Sequence, residues 1–137
     1  MTEPKTAGYG SWKSPITSDL IASRAIRLDV QIELEGNDVY WVEMRPTEEG
    51  RYVIVRQSQG GQVADVTPGP YNVRTRVHEY GGGAFIIDNG TTYFSNFADQ
   101  RLYRQDTGTK PYPITPEGDV RYADGIIDHR RGRIVCV

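Results

Sequence analysis

Ten consecutive residues hold most of the side chains able to do chemistry: Arg74-Thr-Arg-Val-His-Glu-Tyr-Gly-Gly-Gly83. They bring together two guanidinium groups, one of the chain's two histidines, a carboxylate, a phenol and three glycines. The chemistry on offer is ionic recognition, since a guanidinium grips a carboxylate through two parallel hydrogen bonds. In an extended segment Arg74, Arg76, His78 and Tyr80 share one face and Glu79 points the other way. The glycines disfavour helix and let the backbone pass close to another segment or take positive φ. Two readings stand side by side: a loop that meets a ligand, and a tight crossing between sheets whose charges satisfy one another.

The elements that must position this stretch are strands. Ile26, Leu28, Val30, Ile32 and Leu34 alternate with polar residues at period two, the pattern of a half-buried strand. Turn chemistry at Glu35–Asp38, Pro46–Gly50 and Gly60-Gly61 separates three more strands, over 39–43, 51–56 and 62–66, closed by Thr67-Pro68. After the glycines the unit repeats. Strands are expected at 84–87, 91–95, 100–104 and 109–114, with an Asn89-Gly90 hairpin turn and a close at Thr115-Pro116. A third copy opens at Gly125–Asp128, turns at Arg131-Gly132 and runs through 133–137. The turn glycines Gly36, Gly90 and Gly132 lie 54 and 42 residues apart, and four-stranded units at such a period signal propeller blades. The expected fold is all-β, an incomplete β-propeller of about two and a half blades. Blades are expected at about 25–68 and 83–116, with a third from about 124. Residues 1–24 form an extension, with Ser14 capping a short helix at Pro15–Ala22, and Trp12, Ile16, Leu20 and Ile21 must dock either on the sheet that follows or on a surface outside this chain. A propeller needs about four blades to close, so the expectation is an N-terminal piece of a longer protein. A nine-stranded β-sandwich is the structural alternative.

Composition narrows the function. With 137 residues, 37% hydrophobic and 25% charged, the sequence is that of an ordinary soluble domain. A net charge of −2 lacks the basic footprint of a nucleic-acid binder. No apolar run is long enough for a membrane helix, and the N-terminus has no secretory core, so a cytoplasmic protein is expected. Cys136 is the single cysteine, and with His78 and His129 it gives no zinc spacing, so no metal and no cofactor are expected. The triple glycine is no phosphate loop, because no Lys-Ser/Thr follows it. Asn89-Gly90-Thr91 fits a glycosylation pattern, but a hairpin turn explains it better. The pairs Tyr40-Trp41 and Tyr93-Phe94 are read as core, while Phe97 and Tyr103 flank a turn and can reach either core or ligand.

Four separated motifs, Tyr9–Thr17, Arg74–Gly83, Tyr93–Tyr103 and Arg121–Gly125, occur in an order that resembles the N-terminal half of bacterial prolyl oligopeptidase-family serine peptidases. The branch is the one described as dipeptidyl aminopeptidase or acylaminoacyl-peptidase-like. The resemblance implies a propeller that restricts substrate size and docks onto a C-terminal α/β-hydrolase domain, the partner within the same parent chain. That domain would carry the Ser-Asp-His triad and cleave short peptides or acyl-aminoacyl bonds. No Gly-x-Ser-x-Gly elbow occurs here, so no catalytic residue is expected in this chain, and alone it should be inactive. Since some relatives hold a substrate's amino group with propeller glutamates, the resemblance implies a substrate-binding role for Glu79, with Arg74, Arg76, His78 and Tyr80 beside it. The opposing reading makes Arg76, His78 and Glu79 a buried structural network. Two other functions remain open, a propeller scaffold with no attached enzyme and a small carbohydrate-binding sandwich.

Overall fold

The computed structural model describes residues 6–23 and 26–137, and among them the side chains outside 22–30. Expectations placed on residues 1–5, on the boundary at 24/25 and on the side chains of Ile26, Leu28 and Val30 lie outside the described residues.

Among the described residues ten strands form three antiparallel sheets in chain order. The first contains β1 (Ile26–Glu35), β2 (Asp38–Arg45), β3 (Arg51–Gln57) and β4 (Val63–Asp65). The second contains β5 (Phe85–Asp88), β6 (Thr91–Ser95), β7 (Leu102–Asp106) and β8 (Tyr112–Pro113). The third is a hairpin of β9 (Ile126–Asp128) and β10 (Arg133–Val135). Two four-stranded sheets and part of a third are the all-β arrangement that the repeats predict, and the described residues do not close a ring. In the second sheet the third strand lies two residues later than expected, because Asn96–Gln100 forms the turn and Gln100 takes a left-handed φ of 58°.

The Thr-Pro closures perform the same task in both sheets. Thr67 Oγ1 accepts from Ile54 N at 3.0 Å, beside a Val66 N to Ile54 O bond of 2.8 Å. Thr115 Oγ1 accepts from Leu102 N at 3.0 Å, beside an Ile114 N to Leu102 O bond of 2.8 Å. In each, a hydroxyl takes over the ladder where the outer strand ends, and the following proline has no N–H to continue it.

The two sheets share a core. Tyr40, Val42 and Ile54 of the first pack with Phe85, Phe94 and Tyr103 of the second and with Val73 between them. Phe94 and Tyr103 stack at 5.7 Å, and Tyr71 meets both edge-on. Central β3 is apolar on both faces, so Val53 and Val55 join Trp41 in a second cluster on the far side. Of each aromatic pair only Tyr40 and Phe94 therefore enter the inter-sheet core. Tyr93 is half-buried on the opposite face of its sheet.

Two expectations are corrected. The helix is α1 (Ser18–Ser23), and Thr17 caps it: Thr17 Oγ1 accepts from Leu20 N, whereas Ser14 Oγ accepts from Ile16 N in a local turn before it. Trp12, Ile16 and Ile21 stay largely exposed, so they do not dock on the following sheet. In β1, Ile32 and Leu34 are 65% and 72% exposed while Gln31, Glu33 and Glu35 are half-buried. Pairing with β2 shifts register between Arg27 and Ile32, and such a shift exchanges the faces of a period-two pattern. The polar residues are drawn inward because the unpaired edge of β5 needs partners. The Gln31 amide donates to Phe85 O and accepts from Phe85 N, and Glu35 Oε1 accepts from Gly90 N at 2.9 Å.

Candidate functional site

The Arg74–Gly83 stretch lies in the connection from β4 to β5, across the ends of β3 and β6. Its first half is pinned on both sides. Val73 N donates to Tyr52 O, Arg74 N donates to Ser95 O, and Arg76 N donates to Gln100 Oε1 at 2.7 Å. Asn72 and Asn96 bind the same region, Asn72 Oδ1 accepting from Tyr52 N and Asn96 Oδ1 from Asn72 N. Val73 and Thr75 are buried, so Arg74 and Arg76 point outward together.

Both guanidinium groups lie against Phe97. The Arg76 Cζ is 4.2 Å from the ring centre and the Arg74 Cζ 5.0 Å, with Tyr52 5.3 Å from Arg74 on the other side. Rings at these distances hold a guanidinium plane and orient its N–H groups. Neither arginine has a carboxylate partner among the described residues. Phe97 thus resolves toward the site and Tyr103 toward the core.

Beyond Val77 the extended pattern ends. His78 and Gly81 exchange two backbone hydrogen bonds of 3.0 Å, closing a turn with Glu79 and Tyr80 at its tip. Glu79 therefore sits beside Tyr80 at a turn tip, not on the far face of a strand, and the expected single face of Arg74, Arg76, His78 and Tyr80 breaks after Arg76. Tyr80 is 93% exposed. Glu79 is exposed and has no hydrogen-bond or ion-pair partner among the described residues. His78 Nε2 approaches Asp124 Oδ2 at 3.4 Å, both side chains about half exposed. The buried network of Arg76, His78 and Glu79 does not form: the three side chains are exposed and separate.

The glycines make the close crossing that their run predicts. Gly83 N donates to Asp124 Oδ1 and Asp124 N donates to Gly83 O, both at 2.8 Å. A Cβ on Gly83 would stand 2.7 Å from that Oδ1, and one on Gly82, whose φ is +136°, would stand 3.1 Å from the Ala123 Cβ. Arg121 Nη1 donates to Arg76 O at 2.9 Å, and Ser95 Oγ to Tyr122 O at 2.7 Å, so the Arg121–Gly125 motif backs the whole stretch. Sequence reading missed Gln100, Tyr52 and Asp124 as supports. Each comes from a different sheet or loop, and no spacing along the chain predicts their meeting.

A hollow of about 140 Å³ lies beneath the turn, between Tyr52, Arg74, Thr75, Tyr80 and Gly82. It is too small for a whole drug-sized ligand, which takes roughly 300 Å³ or more, but large enough for one group of a longer one. A larger cleft, about 720 Å³, lies elsewhere, between the outer face of the second sheet and β9–β10, with Asp88, Tyr93, His129 and Cys136 in its wall. There His129 Nε2 lies 3.5 Å from Asp88 Oδ1, and burial pushes the Cys136 thiol up. Among the described residues no group of three or more His, Cys, Asp or Glu could hold a metal ion, and no helix is long and apolar enough to cross a membrane.

No family model matches the chain, and no curated protein matches it. Solved structures do. A puromycin hydrolase is 37% identical over 96% of the chain, with a TM-score of 0.83. A puromycin-hydrolyzing peptidase of Mycobacterium tuberculosis is 38% identical over 97%, with a TM-score of 0.85. A mutant puromycin hydrolase complexed with PGG is 38% identical over 94%, with a TM-score of 0.82. The chain spans 21–22% of the length of these proteins. An identity of 37–38% over 94–97% of the chain, at TM-scores of 0.82–0.85, makes the chain similar to the N-terminal propeller portion of peptidases of the prolyl oligopeptidase family.

Proposed function

We propose that this chain is the propeller portion of a cytoplasmic serine peptidase, with residues 1–24 as an extension and 25–137 as the blades, and that it gates short peptides and docks onto an α/β-hydrolase domain of the same parent chain. Puromycin or short peptides and acyl-aminoacyl compounds are the substrate class, in keeping with what the similar structures are named for. The observation that carries this reading is the pairing of unsatisfied charges of opposite sign on one rim. Among the described residues Arg74 and Arg76, held over Phe97, have no carboxylate partner, and Glu79, at the tip of the turn that follows them, has no cation. A structural crossing neutralises its own charges, whereas a recognition surface leaves them for the ligand.

In this reading Glu79 takes the peptide's ammonium group, Arg74 and Arg76 take a carboxylate of the peptide or of the hydrolase surface, and His78 and Tyr80 line the approach. The reaction itself belongs to the hydrolase domain, and the propeller contributes orientation and exclusion by size. In the full-length enzyme Glu79→Gln should raise KM for peptides with a free amino group by about tenfold, at little cost to peptides blocked at that end. Equal effects on the two classes would remove Glu79 from substrate binding.

A further inference from the structure

The Asn89-Gly90 turn has a second chemistry that the recognition rim does not use. Asn89 is exposed, and φ values of 49° and 74° at Asn89 and Gly90 fit a type I′ hairpin turn between β5 and β6. An asparagine followed by glycine is open to attack on itself, since no side chain shields the next amide. The Gly90 nitrogen, once it loses its proton, bonds to the Asn89 side-chain carbon. The Asn89 amide nitrogen leaves as ammonia, and the resulting succinimide takes up one water to open as aspartate or isoaspartate.

The structure sets a specific obstacle to the first step. Gly90 N–H donates to Glu35 Oε1 at 2.9 Å, and Glu35 lies at the end of β1 in the other sheet. A carboxylate at that distance stabilises the N–H and opposes the negative charge that its ionisation would create. Thr107 Oγ1 donates to Gly90 O at 2.8 Å, holding the next peptide plane, Gly90–Thr91. Asn89 Nδ2 donates to Asp88 Oδ1 at 3.2 Å, turning the side-chain amide toward its own strand.

We propose that Asn89-Gly90 is a latent deamidation site whose reaction is restrained by Glu35 across the seam between the first two sheets. Whatever parts that seam at the β1 end releases the Gly90 N–H and starts the reaction. Isoaspartate then adds a methylene to the main chain inside a two-residue turn, where the Asp88–Thr91 pairing has no slack for it, so that separation of the sheets becomes hard to reverse.

The test compares the wild-type chain, Glu35→Gln, a control Glu117→Gln and a synthetic peptide of residues 86–93, all held in mildly alkaline buffer. Mass spectrometry and isoaspartate detection follow Asn89. Wild type and the Glu117 variant should react at least about tenfold more slowly than the peptide, and Glu35→Gln should move toward the peptide rate. Hydrogen exchange should find Gly90 protected in wild type and less protected in Glu35→Gln, whose amide oxygen still accepts but without the charge, with β6 still protected in both. Wild type reacting at the peptide rate overturns the proposal, as does Glu35→Gln reacting no faster than wild type. A Gly90 amide that exchanges freely in wild type overturns it whatever the variant does.

Discussion

The seam between the first two sheets and the charged rim above it are neighbours built on opposite terms. The seam is packed and paired inward: Phe94 is fully buried, Tyr71 and Tyr103 pack on it, and the Tyr103 hydroxyl donates to Asp99 Oδ2 at 2.6 Å. On the rim the backbone is as well held, through Ser95, Gln100 and Arg121, but among the described residues the charged ends of Arg74, Arg76 and Glu79 have no ion-pair partner. The contrast separates two uses of polar atoms in one small fold. Those that fix the chain are spent internally, and those that face solvent are held in place and kept available. Preorganisation of this kind lowers the entropy lost when a ligand binds.

Breaking the seam should cost most. Phe94→Ala removes a fully buried ring and should destabilise the chain by about 3–5 kcal/mol, a large part of the 5–15 kcal/mol typical of a domain. Denaturant unfolding reads this directly. A smaller loss should follow alkaline titration. Burial, and next the hydrogen bond to Asp99, push the Tyr103 phenol up to about 12 from 10.0. A phenol whose pKa is higher in the folded chain than in the unfolded one stabilises fully below pH 10, and that contribution is lost as pH rises from 10 through 12. The loss should be on the order of 2 kcal/mol. In Tyr103→Phe this fall over the same interval should disappear, and its persistence would place the titrating group elsewhere.

Between seam and rim lies the glycine crossing. Gly83→Ala drives a Cβ into Asp124 Oδ1 at 2.7 Å and weakens the 2.8 Å bond from Gly83 N. We expect a cost of about 1–3 kcal/mol, seen as a lower denaturant midpoint at an unchanged slope. The rim itself should cost least. Glu79→Gln should leave stability within about 0.5 kcal/mol, as for surface groups without partners, while changing KM in the full-length enzyme. A marked loss of stability would show that Glu79 belongs with the seam.

Much of the fold is legible along the chain because its signals are local. The turn-bounded strands β2 and β3, the Asn89-Gly90 turn and the repeated Thr-Pro closures are set by neighbouring residues, and they appear where the pattern puts them. Legibility fails where a distant edge competes. β1 carries a regular apolar stripe, yet at its described end the polar residues turn inward, because β5 and the turn after it offer backbone groups that Gln31 and Glu35 satisfy. The short helix shows the same on a smaller scale, Thr17 taking the cap that Ser14-Pro15 suggests.

The sequence by itself determined the all-β class, the repeated four-stranded unit, the family resemblance and the choice of Arg74–Gly83 as the chemically dense stretch. The class, the repeat and the dense stretch follow from periodicity, turn residues and composition, which act over a few residues, and the resemblance rests on four separated motifs in order. Only the tertiary structure decided that Arg74 and Arg76 share the Phe97 ring, that Glu79 stands at a turn tip, and that Asp124 closes on Gly83. It also decided that Glu35 reaches Gly90 across 55 residues. Such contacts join segments whose meeting depends on how sheets pack, and no local pattern encodes a partner on another sheet.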